Sequence, residues 1–128
     1  NSYASIEGGM MEEANRALGS TNAGSRSFDS YSSTRALVND MFSKWNTYQA
    51  VTIGFTGGPS QGPLVLGHAY TVVSFTRDAA GTITTITVRN PWGIDGASSS
   101  DSNPWDGLVT LTVAQLSRYQ GFTSWGRV

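Results

Sequence analysis

Two runs of β-branched and aromatic residues, 64–77 and 82–89, flank the short polar segment Asp78–Gly81. Val, Ile, Thr, Tyr and Phe favour the extended backbone of strands, whereas Asp and Gly favour tight turns. Strands joined by so short a connection pair in opposite directions, so this pattern predicts an antiparallel hairpin. We therefore expect a fold built mainly on antiparallel sheet.

Helical periodicity appears in three places outside the hairpin. Residues 34–48 carry an apolar stripe with a period of 3.6, which predicts a core-facing helix and consists of Leu37, Val38, Met41, Phe42, Trp45 and Tyr48. A short helix is predicted over Gly9–Leu18, and the polar stretch Ser20–Ser32 after it is predicted to be a loop. Thr112 and Gln115 have the spacing of a capping box, which predicts a short helix ending near Tyr119.

The remaining segments complete a single α+β domain over residues 1–128. Additional strands are predicted at Val51–Phe55, Gly107–Leu111 and Phe122–Val128, with loops at Gly57–Pro63 and Asn90–Trp105. The length suits one domain. We expect an antiparallel, partly barrel-like sheet with two or three helices.

The composition argues against several classes of function. Charged residues make up 13% of the chain, the net charge is −1 and Lys44 is the only lysine, so nucleic acid is not an expected partner. No apolar run approaches membrane-spanning length, so no membrane partner is expected either. With no cysteine and one histidine, disulfides and a zinc site are not expected. The compartment is left open, although low lysine content and abundant Ser, Thr and Gly favour a bacterial or secreted parent protein.

His68 and Asn90 are the candidate chemical pair of the hairpin. Histidine is the side chain whose unperturbed pKa suits proton transfer near neutrality. If a three-residue loop separates Arg77 from Gly81, His68 lies directly opposite Asn90, with Cβ atoms about 5 Å apart. A shift of one residue places His68 opposite Pro91 instead, with Asn90 still adjacent. The Asn90 amide can then accept a hydrogen bond from the imidazole and orient it.

Three neighbouring residues support this interpretation. Gly67 allows a second backbone or a substrate to approach His68, Pro91 restricts Asn90 to extended conformations, and Trp92 can shield the His–Asn pair from water. A buried structural histidine beside an ordinary Pro-Trp-Gly turn fits the same residues.

The segments Gly67-His68-Ala69-Tyr70 and Arg89-Asn90-Pro91-Trp92-Gly93 together resemble the calpain family of papain-type cysteine proteases. The segment from Ser2 to Gly9 resembles the junction between that family's two protease lobes, which places residues 1–19 near the junction. The resemblance implies that His68 is the general acid and base, Asn90 the orienting amide and Trp92 the shielding indole. It also implies the fold of the β-rich second lobe.

In this family the nucleophilic cysteine and the oxyanion-hole glutamine lie in an earlier helical lobe. The resemblance therefore implies that this chain acts on a protein or peptide substrate together with such an upstream lobe, and that it has no peptidase activity alone. The alternative is a protease-like module retained for binding or regulation. A cysteine in the upstream sequence would distinguish a protease from such a module.

The sequence gives less support to a calcium-binding site and to a serine nucleophile. Animal calpains have acidic residues and a second tryptophan soon after Asn-Pro-Trp-Gly, whereas segment 94–98 here has one carboxylate, Asp95, and no tryptophan. The set Asp101, Asn103 and Asp106 fits an EF-hand loop poorly, so we expect no cofactor and no metal. Ser60 lies in a G-x-S-x-G match, but the required strand–turn–helix context is not predicted there.

Overall fold

A computed structural model describes residues 21–48, 50–59, 64, 66–90 and 107–127. Its strands are β1 (Thr21–Ser27), β2 (Val51–Gly57), β3 (His68–Arg77), β4 (Ile83–Arg89), β5 (Leu108–Thr112) and β6 (Gln120–Arg127). A 3₁₀ turn (Phe28–Ser30) follows β1. The helices are α1 (Thr34–Tyr48) and the single turn α2 (Val113–Leu116).

The six strands form one antiparallel sheet in the order β1-β6-β2-β3-β4-β5. The α+β prediction is confirmed. Within the described ranges the sheet is open rather than closed into a barrel, with β1 and β5 as its outer strands. Because β2 and β3 lie at its centre, the segment that begins with His68 is supported by strands on both sides.

Helix α1 has the bounds that the apolar stripe predicts. Leu37, Val38 and Met41 are buried against the sheet, with Phe42 and Trp45 packed around them. The Ser33 hydroxyl accepts a hydrogen bond from the N–H of Ala36 at 3.1 Å, which satisfies one donor of the first turn.

The hydrophobic core lies between the sheet and the two helices. It is one cluster of aliphatic and aromatic side chains from the helices, from β2 to β5 and from the segment before β6, and its central members are Ile53, Phe55, Tyr70, Ile86, Val88, Leu111 and Leu116. Each of these seven is at most 1% exposed. Within the described ranges, no helix has the length and apolar character that crossing a membrane requires.

The predicted loop Ser20–Ser32 is wrong over most of its length. Residues 21–27 form β1 and 28–30 the 3₁₀ turn. The segment has no apolar alternation, and its strand conformation comes from pairing with β6. Gly24 permits this pairing because a Cβ there would lie 2.6 Å from the indole of Trp125.

The other predicted elements differ mainly at their ends. The strand predicted from Leu64 begins only at His68, and β6 begins at Gln120, two residues before its predicted start. The capping box is present, because the Thr112 hydroxyl accepts from the N–H of Gln115 while the Gln115 side chain accepts from the N–H of Thr112. The predicted helix Gly9–Leu18 lies outside the described residues.

Candidate functional site

His68 is the first residue of β3, at the point where the chain enters the sheet. The residue is half-buried, and its Nδ1 atom is shielded from solvent. Exposed Gly67 precedes it with a left-handed φ of 83°, and the Gly67 N–H donates to the carbonyl of Phe55 at 2.7 Å. His68 is therefore held at a sharp turn between loop and sheet, with part of the residue accessible.

The backbone conformation of Gly67 gives its own reason for a glycine at this position. A Cβ at this position would meet no described atom within 4 Å, so close approach within this part of the chain does not require glycine. The left-handed φ of this residue requires glycine, because it brings the Cβ of other L-residues too close to the backbone.

Phe55 lies directly across from His68 in the β2–β3 pair. It is fully buried, and its ring makes edge-on contacts with Phe28, Tyr70 and Tyr119 at centroid distances of 6.2, 5.7 and 5.2 Å. Interactions of this type add to the stability gained from burial. The backbone beside His68 is thus supported by a rigid aromatic cluster.

The hairpin turn begins the β3–β4 pairing, whose register then shifts between Arg77 and Thr76 and shifts back between Ser74 and Val72. Asp78 donates its N–H to the carbonyl of Thr82 at 2.9 Å, and Gly81 donates to the carbonyl of Asp78 at 3.0 Å. The Asp78 carboxylate accepts from the N–H groups of Ala80 and Thr82. Gly81 has a φ of 85°, as the left-handed position of such a turn requires.

The predicted register is wrong by two residues. The three-residue loop lies between Asp78 and Thr82, not between Arg77 and Gly81. At the far end of the hairpin from this loop, Thr71 pairs with Arg89. Continuing this register by one residue places Asn90 across from Tyr70, so His68 and Asn90 are not directly opposite.

A shift of two residues leaves side chains on the same face of the sheet, because strand side chains alternate with a period of two. Positions 68 and 90 are therefore diagonal neighbours on one face, a relationship with Cα atoms about 7–8 Å apart. Asn90 is 3% exposed, so its amide lies inside the protein. Buried amides need hydrogen-bond partners, and polar groups on the same face of the sheet can supply them.

The Asn90 backbone is also tied to the neighbouring strand. Its N–H donates to the carbonyl of Gly107 at 2.9 Å, one step beyond the β4–β5 pair Arg89 and Leu108. Gly107 is buried and has a left-handed φ of 75°. Sequence reasoning missed this residue, although an isolated glycine directly before a strand is a signal for such a backbone position.

Several residues proposed from the sequence lie outside the described ranges. They are Pro91, Trp92, Ser60, Asp95, Asp101, Asn103 and Asp106, and their roles stay predictions. Among the residues that the structure does describe, no three His, Cys, Asp or Glu side chains come together as metal ligands would.

Two tyrosines, Tyr119 and Tyr31, have raised pKa values. Burial raises the pKa of Tyr119. Burial also raises the pKa of Tyr31, and the hydrogen bond from its hydroxyl to the Asp40 carboxylate, at 2.5 Å, adds to the effect. Both phenols therefore stay neutral at physiological pH.

Comparison with known proteins identifies the family. The family model described as "Calpain family cysteine protease" matches residues 1–121. Curated proteins gave no significant match. The family match covers nearly the whole chain, including His68 and Asn90. The chain belongs to the calpain family of cysteine proteases.

Proposed function

We propose that this chain supplies the general acid–base histidine and the orienting asparagine of a cysteine peptidase, with His68 and Asn90 in these roles. Trp92 is proposed to shield the pair from water. The chain has no cysteine, so the proposal places the nucleophile in a helical lobe outside these 128 residues. Its substrate is a protein or peptide.

In the proposed reaction, the cysteine thiolate attacks the scissile carbonyl carbon and forms a carbon–sulfur bond. His68 donates its proton to the leaving amine as the carbon–nitrogen bond breaks. A water molecule then attacks the thioester, His68 takes up the proton of that water, and the carbon–sulfur bond breaks to release the carboxylic acid. Asn90 keeps the imidazole in the orientation that both proton transfers need.

The β3–β4 register, which ends at Thr71 opposite Arg89, is the observation that carries this proposal, because continuing it by one residue puts positions 68 and 90 on one face. The half-buried start of β3 also supports it, since part of His68 stays accessible to a second lobe. A structural histidine would instead be expected deep among the apolar side chains. The family match supports the same reaction class.

The test compares variants of the full-length protein that carries this sequence with its native flanking residues. His68→Ala should abolish peptide cleavage, and Asn90→Ala should lower kcat/KM, while both variants keep a cooperative unfolding transition. Val73→Ala, at a 42%-exposed position on the surface of β3, is the control and should keep normal activity. Normal turnover by His68→Ala would refute the proposed role.

A non-catalytic binding or regulatory module is the second candidate, and it is compatible with the same residues, including the absence of cysteine among these 128. The two candidates differ in one property of the full-length protein, namely a thiol that reacts with iodoacetamide and whose alkylation abolishes cleavage. A full-length protein with no such thiol and no cleavage would establish the binding or regulatory module instead.

A further inference from the structure

Asn90 directly follows β4, and Gly107 directly precedes β5. The hydrogen bond from the Asn90 N–H to the Gly107 carbonyl, 2.9 Å long, joins these two points. It extends the β4–β5 ladder one step beyond the pair Arg89 and Leu108. The backbone of Asn90 is therefore fixed from the β5 side of the sheet.

We propose that Gly107 is a positioning residue for Asn90, an inference that rests on the proposed function. Gly107 has a left-handed φ of 75°, which other L-residues adopt only with strain. This conformation directs its carbonyl toward the Asn90 N–H. A residue that relaxes φ at position 107 moves the carbonyl and, with it, the backbone from which the Asn90 side chain extends.

The location of Asn90 makes this contact important. The β3–β4 register runs to Thr71 and Arg89, one residue before Asn90. Asn90 lies just past the end of β4, where small backbone rotations move a side chain most. The amide must nevertheless keep its geometry, because misplacement of a catalytic group by about 1 Å can cost a hundredfold in rate.

A related contact lies beside His68, between the segment before β3 and strand β2. The N–H of Gly67, at φ 83°, donates to the carbonyl of Phe55 on β2. His68 and Asn90 thus each lie at or next to a backbone hydrogen bond that involves a left-handed glycine. Gly107 sets the asparagine's position as Gly67 sets that of the histidine.

The experiment uses the full-length protein with Gly107→Ala and, as the matched control, Gly81→Ala. Gly81 has a φ of 85° at the tip of the hairpin, so the control carries similar backbone strain far from the site. We expect Gly107→Ala to lower kcat/KM about tenfold or more and Gly81→Ala to leave it unchanged.

Active-site titration with iodoacetamide separates positioning from general destabilisation, because it counts the competent thiols in each preparation. The kcat per titrated thiol should fall in Gly107→Ala while KM stays close to normal, since the change impairs proton transfer by His68 and not substrate binding.

A double-mutant cycle with Asn90→Ala tests whether Gly107 acts through Asn90. If Gly107 acts through Asn90, the Gly107→Ala change has little further effect once the amide is gone. Fully additive losses, or a Gly107→Ala enzyme with a normal kcat per titrated thiol, would overturn the inference. Normal activity in Asn90→Ala itself would instead refute the role proposed for Asn90.

Should Gly107→Ala fail to accumulate as a folded protein, Gly107→Asn replaces it in the same cycle. Asparagine tolerates left-handed φ better than alanine does, so this variant is expected to fold. The same two results then decide the question, because coupling to Asn90→Ala supports the inference and additivity refutes it.

Discussion

Phe55 and His68 are direct cross-strand partners, so the candidate catalytic histidine pairs with a fully buried phenylalanine of the core. The ring of Phe55 contacts three other aromatic rings. The position of His68 is therefore coupled to the packing of the protein interior.

Phe55→Ala should destabilise the protein by about 3–5 kcal/mol, because it removes a fully buried ring and leaves a cavity. Urea denaturation of the purified protein measures this loss. Val73→Ala, at an exposed position in the neighbouring strand, should cost less than about 1 kcal/mol. Equal losses in the two variants would show that the aromatic cluster does not support β2 and β3.

Gly67→Ala and Gly81→Ala form a second matched pair. Their φ values are 83° and 85°, and a Cβ at either position meets no described atom within 4 Å. Each should lose about 1 kcal/mol of unfolding free energy from backbone strain alone. In the full-length protein only Gly67→Ala should also lower kcat/KM, because it displaces His68, and equal activities would contradict this.

Tyr31 should make stability fall at alkaline pH. Burial and the bond to Asp40 raise the pKa of Tyr31 in the folded protein above its ordinary value of about 10. Above pH 10 the unfolded chain has lost this proton while the folded protein keeps it. The folded state then binds more protons, and the free energy of unfolding decreases as pH rises.

Tyr31→Phe removes this contribution to the pH dependence. Urea denaturation between about pH 9 and pH 11 should give a shallower decline for the variant than for the unaltered protein. A remaining decline is expected from Tyr119, whose pKa is also raised. Parallel curves for the two proteins would contradict the prediction.

Calcium should not bind with micromolar affinity. The segment after Trp92 offers only Asp95 near the position where animal calpains have several acidic residues, and tight calcium sites use six to eight oxygen ligands. Isothermal titration calorimetry of the full-length protein provides the measurement. Micromolar binding that disappears on Asp101→Ala would establish a calcium site in the segment from Asp95 to Asp106.

The sequence was sufficient to predict those structural elements that are stabilised by residues close together in the chain. The bounds of α1 follow from an apolar stripe with a period of 3.6, and the capping box of α2 follows from two side chains three residues apart. The hairpin turn at Asp78–Gly81 follows from a short polar side chain and a glycine. Each of these features is stabilised by groups that are close together in the chain.

The sequence also selected the pair of candidate residues and predicted that they share a face, and the β3–β4 register beside the site is compatible with that prediction. Tertiary structure alone decided the rest. The register depends on the hydrogen bonds of the turn and on two irregularities in the β3–β4 pairing. Strand β1 forms because β6 pairs with it, and Gly107 bonds to Asn90 across 16 intervening residues. These contacts join distant parts of the chain, and their energies come from pairing and packing that no local pattern records.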